Sequence, residues 1–454
     1  MLSIAILVTL VAAIVFATAK LKINPFLALL GAALVGGFAF RLPVDTIAPT
    51  MTTAFGATLG NIGLIILFGT IIGVILERTG SAIAMAEALI RLLGTRFPTL
   101  TMSIIGFIVS IPVFCDSGFV ILNSLKKAIA ARTQVSLVAM TIALMTGLYA
   151  THVFVPPTPG PLAAAGNLNI IDQLGLIIGF GLIAALVSAA AGLLWANRFL
   201  KKDIQLLPEP AGEENDLSRE YDQLRSGYGT LPNAFLAFLP ILAPIVLICI
   251  ASIAKLPAAP FGDSGLFIAI VFLGTPVIAL MVGLVAALFL LRGANKLTTF
   301  GDNVNEGIRI SAPILLITAS GAAFGSILAA SDLTDYLGST LSTLGLGLVV
   351  PFVISAALKT AQGSSTVAMV TTSVLLLPLL PALGLDSDMG RVLSVLAIGA
   401  GAMVVSHAND SFFWVVSQLS RIPVATAYRT LTPATAIQGV AGFAAVWVMG
   451  LIVL

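Results

Sequence analysis

Long apolar runs separated by short polar islands dominate this chain from end to end. Runs at 2–19, 24–40, 58–76, 135–165, 172–197, 232–254, 264–291, 309–330, 390–418 and 430–454 predict helices, and several reach the ~20 residues needed to cross a hydrocarbon core ~30 Å thick. Strand-type alternation is absent, so the spans read as helices and not as barrel strands. Two further hydrophobic segments, 98–125 and 348–381, carry small polar residues at their middle and read as non-crossing hairpins. The pattern predicts an all-α polytopic membrane protein with about ten transmembrane helices and two re-entrant helical hairpins.

The same pattern runs through the chain twice. Each half carries an amphipathic stretch, ending at Gly94 or Gly345, then a hairpin, then an apolar segment ending in a hydroxyl-histidine pair, Thr151-His152 or Ser406-His407. Upstream of these, Gly73-Val74-Ile75-Leu76 matches Gly325-Ser326-Ile327-Leu328. We divide the chain into a first membrane repeat, 1–200, a polar linker, 201–231, and a second repeat, 232–454. The linker holds Pro208-Glu209-Pro210 and an acidic run, and reads as a partly helical connection and not as a domain.

Composition agrees with this medium. Hydrophobic residues make up 58% and charged residues 9% of the chain, too little polar surface to cover a soluble globule. The net charge of +2 says nothing about nucleic acid; no basic patch exceeds a few residues, so no nucleic-acid partner is expected, and Cys115 and Cys249 are too few for a disulfide framework. Ala17-Thr18-Ala19 imitates a signal-peptide cleavage site, but the cations Lys20 and Lys22 follow the apolar run, so residues 2–19 read as a retained span. With both termini outside, 18 Lys and Arg, including Lys126, fall in inner loops and 3 outside, Lys359 lying within the second hairpin. This satisfies the positive-inside rule, makes the linker cytoplasmic, and puts the hairpins on opposite sides, so that the repeats are inverted. A bacterial-type inner membrane is the expected location.

An inverted repeat with broken intramembrane segments is the architecture of alternating-access transport, because half-helix ends at mid-membrane offer unpaired N–H groups and a positive dipole to an anion. Four polar islands are candidate parts of such a site. In Cys115-Asp116-Ser117-Gly118, Asp116 is an ionisable group in a hairpin turn and Gly118 permits an unusual backbone angle; the bland alternative is an interfacial turn. In Thr151-His152 through Thr158 to Pro161, four prolines and Gly160 cannot continue a helix, so the backbone must unwind against protein or a cavity, unless the segment is an outer loop. In the third island, Gly363, Ser364, Ser365 and Thr366 suit a helix N-terminus aimed at a carboxylate, which Lys359 would neutralise unless it snorkels to the interface. In Ser406-His407-Ala408-Asn409-Asp410, His407 and Asp410 share a face if the segment is helical, and such a pair can relay a proton, although a membrane histidine is often only a packed, hydrogen-bonded residue.

These islands resemble the gluconate permease (GntP) family of proton symporters, within the ion transporter superfamily, over nearly the full length. The resemblance rests on Thr151-His152 with Pro156-Pro157 and Pro159-Gly160-Pro161, on Gly363-Ser364-Ser365-Thr366-Val367-Ala368, and on Ser406 to Asp410 with Phe413-Trp414. It implies uptake of a small hydroxy- or sugar-acid anion with protons, a homodimer, and elevator-like movement of the hairpin-bearing part. Gluconate-type members carry Tyr-Glu-Val-Gly where this chain has Cys115-Asp116-Ser117-Gly118, histidine in place of Thr158 and arginine in place of Lys359. Gluconate or a related aldonate is the leading substrate; glycerate, a 3-hydroxybutyrate-like acid and D-serine are the alternatives, with sodium as the rival coupling ion. Expected substrate contacts are Ser117, Gly118, Thr151, Thr158, Lys359, Gly363, Ser364, Ser365, Thr366 and Asn409. Expected proton-coupling groups are Asp116, His152, His407 and Asp410, His407 being preferred over His152, which shapes the cavity.

Catalysis is a poorer reading. Gly262-Asp263-Ser264-Gly265 imitates a serine-protease tetrapeptide but has no histidine nearby, and two histidines without a His-Glu-x-x-His motif cannot build a usual catalytic zinc site, so no metal or cofactor is expected. A passive channel, the other distant alternative, explains polar breaks in both inverted halves less economically.

Overall fold

The computed structural model describes residues 2–454 except 203, 208–216, 256–264, 293–294, 332–346 and 409. The described chain is helical throughout, with no strand. In order the helices are α1 (Leu2–Val15, continued by a π turn, Phe16–Lys20), α2 (Pro25–Ala39), α3 (Val44–Arg78), α4 (Ser81–Leu93), α5 (Pro98–Val109), α6 (Cys115–Thr133), α7 (Leu137–Phe154), α8 (Pro159–Asn167) and α9 (Leu174–Asn197). The linker helix α10 (Leu217–Gly227) precedes α11 (Ala234–Ala254), α12 (Gly265–Leu273), α13 (Pro276–Leu288) and α14 (Lys296–Ala329). The chain closes with α15 (Val349–Gln362), α16 (Ser365–Leu376), α17 (Asp388–Gly401), α18 (Ser411–Leu419) and α19 (Val424–Val453).

Among the described residues, six helical segments are long and apolar enough to cross a membrane: Val44–Arg78, Leu137–Asn167, Ile171–Asn197, Ala234–Ala254, Lys296–Ala329 and Val424–Val453. The pair α12 and α13, bent by 69° at its break, makes a seventh if it is counted as one span. Several expected boundaries move. The runs at 58–76 and 309–330 are only the apolar ends of 35- and 34-residue helices, because hydropathy does not register the threonine- and charge-bearing turns that precede them. The expected span at 24–40 is a 15-residue helix, and the one at 390–418 is broken between Gly401 and Ser411. Residues 332–345, with the second amphipathic stretch, and most of the Gly262 tetrapeptide lie outside the described residues.

The two predicted hairpins are α5 with α6 and α15 with α16, each a pair of helices in contact across a short break. Each is followed by a broken helix: α7 with α8, then α17 with α18. Within a half, the first hairpin helix packs on the first half of the broken helix, α5 on α7 and α15 on α17. Between the halves the pattern crosses over, α6 packing on α18 and α16 on α8. This exchange brings all four breaks toward one centre. The long helices α3 and α14 lie against each other and reach into it, α3 against α8 and α14 against α16.

Glycine permits these approaches, since small residues let helix backbones touch where lipid supplies no hydrophobic drive. A methyl group added at Gly147 in α7 would overlap the Ser103 carbonyl oxygen of α5, and one at Gly401 in α17 would overlap the Phe352 carbonyl of α15. The matched tetrapeptides have the same use: a methyl at Gly73 would lie 2.7 Å from the Pro112 carbonyl oxygen in the first hairpin break, and one at Gly325 would lie 2.8 Å from Val374 of α16.

The linker helix α10 docks on α4 and α6. The Tyr221 hydroxyl donates to Glu87 Oε1 at 3.0 Å and Arg225 Nε donates to the same oxygen at 2.7 Å. Burial, and then the Glu87 carboxylate, raise the Tyr221 phenol above its ordinary range. Lys126, expected in an inner loop, is instead fully buried in α6, where its Nζ donates to the Ser420 hydroxyl at 2.6 Å and lies over the Phe119 ring.

Two outcomes follow. Gly147→Ala will lower the unfolding midpoint of the purified protein, by overpacking worth about 1–3 kcal/mol, whereas Gly179→Ala, a helical position that meets nothing within 4 Å, will not lower it. Because the docked Tyr221 has the raised pKa, docking is at full strength below the ordinary tyrosine value of about 10 and weakens as pH rises through it. Limited proteolysis of the linker between pH 7 and 11 will therefore accelerate at the alkaline end, and less so in Tyr221→Phe.

Candidate functional site

The centre is built from backbone that stops being helical. Gly363 ends α15 with φ +84°, a conformation that a side chain would strain, and the next residue, Ser364, caps α16 by accepting from Val367 N at 3.3 Å. Later in the same half, Ala402–Ala408 is not helical, with β-branched Val405 held at φ +57°. Asp410 then caps α18, its Oδ1 accepting from Phe412 N at 3.0 Å. The proline-rich island is unwound only over Val155–Thr158; Pro159 opens α8, because the first helical turn has no partner for the N–H that proline lacks. That segment is buried, so it is not an outer loop.

The end of α15 and the start of α18 meet at one ion pair. Lys359, fully buried one turn before the α15 terminus, places Nζ 2.6 Å from Asp410 Oδ2 and 2.5 Å from the Gly363 carbonyl oxygen. Asp410 also receives a short hydrogen bond from the Ser406 hydroxyl. Ser406 is held in turn by the Thr435 and Thr432 hydroxyls of α19. Lys359 therefore does not snorkel. It neutralises a carboxylate, and the carboxylate belongs to the other arm of the fold.

Asp116, in the first turn of α6, is within electrostatic range of both Lys359 and Asp410, and its Oδ1 is buried without a hydrogen-bond partner. His152 is buried beside the Phe114 ring at 5.9 Å, lies in the field of Asp410, and its Nδ1 also has no partner. The structure thus joins Asp116, His152, Lys359 and Asp410, four of the expected residues drawn from both halves.

Other expected residues support the centre from a distance or lie away from it. Thr151 donates to the Phe107 carbonyl at 2.8 Å, tying α7 to α5. The Thr158 hydroxyl donates to the Val155 carbonyl at 2.8 Å, and Ser117 hydrogen-bonds Glu77. Gly118 is an ordinary helical residue; its lack of a side chain makes room for Leu148, 2.8 Å from where a Cβ would stand, so the unusual backbone angle expected there is absent. Ser365 stands in the first turn of α16 beside the Tyr149 hydroxyl, with Thr366 next in the same turn. Asn409 lies outside the described residues.

The two histidines stand in different surroundings. His407 and Asp410 do not share a helical face, because the segment is unwound; their contact is backbone to backbone, Asp410 N to His407 O at 2.8 Å. The His407 ring instead meets the Thr360 carbonyl at 2.9 Å. His152 is the histidine at the charged centre.

Two residues escaped the sequence reading. Tyr149, fully buried, donates to the Ala402 carbonyl at 3.1 Å and senses Asp410, Cys115 and Asp116. A hydroxyl-bearing aromatic two positions before Thr151 on an apolar helix was the available signal. Ser406 appeared only as part of an island, and nothing local marks it as the partner of Asp410. A cavity of about 790 Å³ lies beneath the linker helix, lined by Glu87, Arg91, Ala128, Arg132 and Tyr221.

Lys359→Met will leave Asp410 buried without its counter-ion, and the unfolding midpoint will fall by the equivalent of about 3–5 kcal/mol. Lys359→Met with Asp410→Asn will recover much of that loss in the same thermal-unfolding measurement.

Residues 1–452 match the model of the GntP family permeases. Among relatives of known name, a gluconate permease of Pseudomonas aeruginosa is 32% identical over 98% of this chain and 97% of its own length. A D-serine transporter of Escherichia coli is 32% identical over 97% of this chain and 96% of its own. The crystal structure of the YdaH transporter from Alcanivorax borkumensis superposes with a TM-score of 0.66 at 14% identity, covering 95% of this chain and 99% of that one, which shows a shared fold. These relatives are permeases and transporters, not enzymes.

Proposed function

We propose, for a chain that belongs to the GntP family of permeases, that it imports a small hydroxy- or sugar-acid anion, gluconate or a related aldonate first, by proton symport with alternating access. The observation that carries this reading is the buried Lys359–Asp410 pair at the meeting point of two helix ends and two unwound segments. Charge buried at mid-span in an apolar helical protein marks an ion or substrate path, because its desolvation is too costly to be retained by packing alone. Lys359, the hydroxyls of Ser364, Ser365 and Thr366, and the free N–H groups at the start of α16 form the carboxylate site. Asp116, Asp410 and His152 are the proton-accepting groups nearest to it.

The gluconate permease among the relatives supports the aldonate, and the unpartnered Asp116 carboxylate oxygen supports a second reading. An acidic acceptor suits an α-ammonium as well as a hydroxyl, so D-serine, the substrate named for another relative, is the alternative. The positive-inside count supports both termini outside and the linker inside. The crossed packing of α6 on α18 and α16 on α8 supports two inverted repeats, 1–200 and 232–454, whose exchange of arrangement opens the site to either side in turn. A homodimer that holds one part still while the hairpin-bearing part moves completes the proposal.

Purified protein in liposomes, offered gluconate, glycerate, 3-hydroxybutyrate and D-serine under separate proton and sodium gradients, tests the reading. Gluconate will accumulate under an inward proton gradient and leak out when a protonophore collapses it. Accumulation that follows sodium alone would sink the proton assignment.

A further inference from the structure

Among the described residues, the ionisable side chains in the field of Asp410 are Lys359 from α15, Asp116 and Cys115 from α6, and Tyr149 and His152 from α7. With thiol, phenol and imidazole neutral, the set contains one ammonium and two carboxylates. It is neutral only when one carboxylate carries a proton. A buried cluster with a net charge is strongly disfavoured, so the empty site holds about one proton on its carboxylates. A substrate carboxylate adds one negative charge, and the cluster regains neutrality only if a second proton enters with it.

The geometry decides which groups change. Lys359 has three N–H donors, of which two are engaged, by Asp410 Oδ2 and by the Gly363 carbonyl. Gly363 and Ser364 form the turn into α16, where a substrate carboxylate would lie, so Lys359 reaches that position without leaving its helix. Asp410 is equipped for either protonation state. Its Oδ1 holds the Phe412 N–H whether the group is an acid or an anion. The Oδ2 partner is the Ser406 hydroxyl, which donates to a carboxylate and accepts from a carboxylic acid. Asp116 has no such partner on its buried oxygen.

We propose that Lys359 is an exchanged counter-ion: it pairs with Asp410 in the empty transporter and with the substrate carboxylate in the loaded one, while Asp410 takes up the co-transported proton. This rests on the symport reading above and gives that reading its coupling step. One proton moves from water to Asp410 as the anion enters, and returns to water on the far side when the anion leaves and Asp410 recaptures Lys359. Proton and anion are obligatorily linked because they relieve the same ion pair from its two ends.

The test is calorimetry of gluconate binding to the purified full chain between pH 5.5 and 8, in two buffers of different ionisation enthalpy. The wild type will take up about one proton per gluconate, and its affinity will fall about tenfold per pH unit toward the alkaline end. Asp116→Asn, which leaves Asp410 as the one carboxylate of the set, will still take up about one proton per gluconate; adding Asp410→Asn to it will give a flat pH profile and no proton uptake, and Lys359→Gln will not bind gluconate at any pH. Loss of the slope and of the proton uptake in Asp116→Asn alone overturns the proposal. If that variant does not fold, infrared difference spectra replace it: gluconate must induce a protonated-carboxyl band in the wild type that shifts in Asp410→Glu, and a band that does not shift overturns the proposal equally. Liposomes distinguish the two levels, since a wild type that accumulates gluconate on a proton gradient without Asp410 titrating defeats only the exchange. A wild type that neither binds nor accumulates any acid of the panel defeats both.

Discussion

An ammonium and a carboxylate, Lys359 and Asp410, lie 2.6 Å apart with almost no contact to solvent in a chain that is 58% hydrophobic. Such a pair is tolerable only if each partner is supplied with further hydrogen bonds, because desolvating two ions costs more than their mutual attraction returns. The surrounding architecture meets that requirement. Gly363 turns the backbone so that its carbonyl meets Nζ, Ser406 meets Oδ2, and the first turn of α18 meets Oδ1. Each of these groups becomes available only where a helix stops, so the charge and the breaks are one constraint.

Stopping helices inside a membrane-spanning protein has its own cost, since unpaired peptide groups cannot face lipid. The crossed packing answers this by surrounding every break with protein. The first hairpin's second helix lies on α18 and the second hairpin's on α8, and each crossing is fastened by polar side chains at its far end: Lys126 to Ser420 in one, Asn167 to Ser373 in the other, the latter at 3.0 Å. Glycines at 147 and 401 bring the hairpins close enough for the crossings to close. Both halves therefore use the same devices, and neither assembles the charged cluster alone: Asp116 and His152 come from one half, Lys359 and Asp410 from the other.

Legibility in the sequence followed the range of the interaction. Helices, hairpins, the Gly363 turn and the Ser364 cap were readable because each is a local matter of apolar runs, missing side chains and short-range hydrogen bonds. The proline-rich island was readable as a break, although its extent was overestimated, since prolines in a first helical turn continue a helix that they would interrupt elsewhere. His407 and Asp410 misled because spacing implies a shared face only on a helix, and this stretch has none. Tyr149 was hidden by its apolar neighbours, and Gly118 was credited with backbone freedom when its use is to make room for Leu148.

The amino-acid sequence by itself determined the solvent of this protein, the positions at which its helices break, and the small set of ionisable residues inside it, because hydrophobicity and backbone stereochemistry act over a few residues. Tertiary structure alone decided which of those residues meet. Lys359 and Asp410 are 51 positions apart, and Asp116 comes from the opposite half. Their convergence depends on helices crossing between the halves, and a Coulomb interaction in a low-dielectric interior is set by distance in space, on which separation along the chain carries no information.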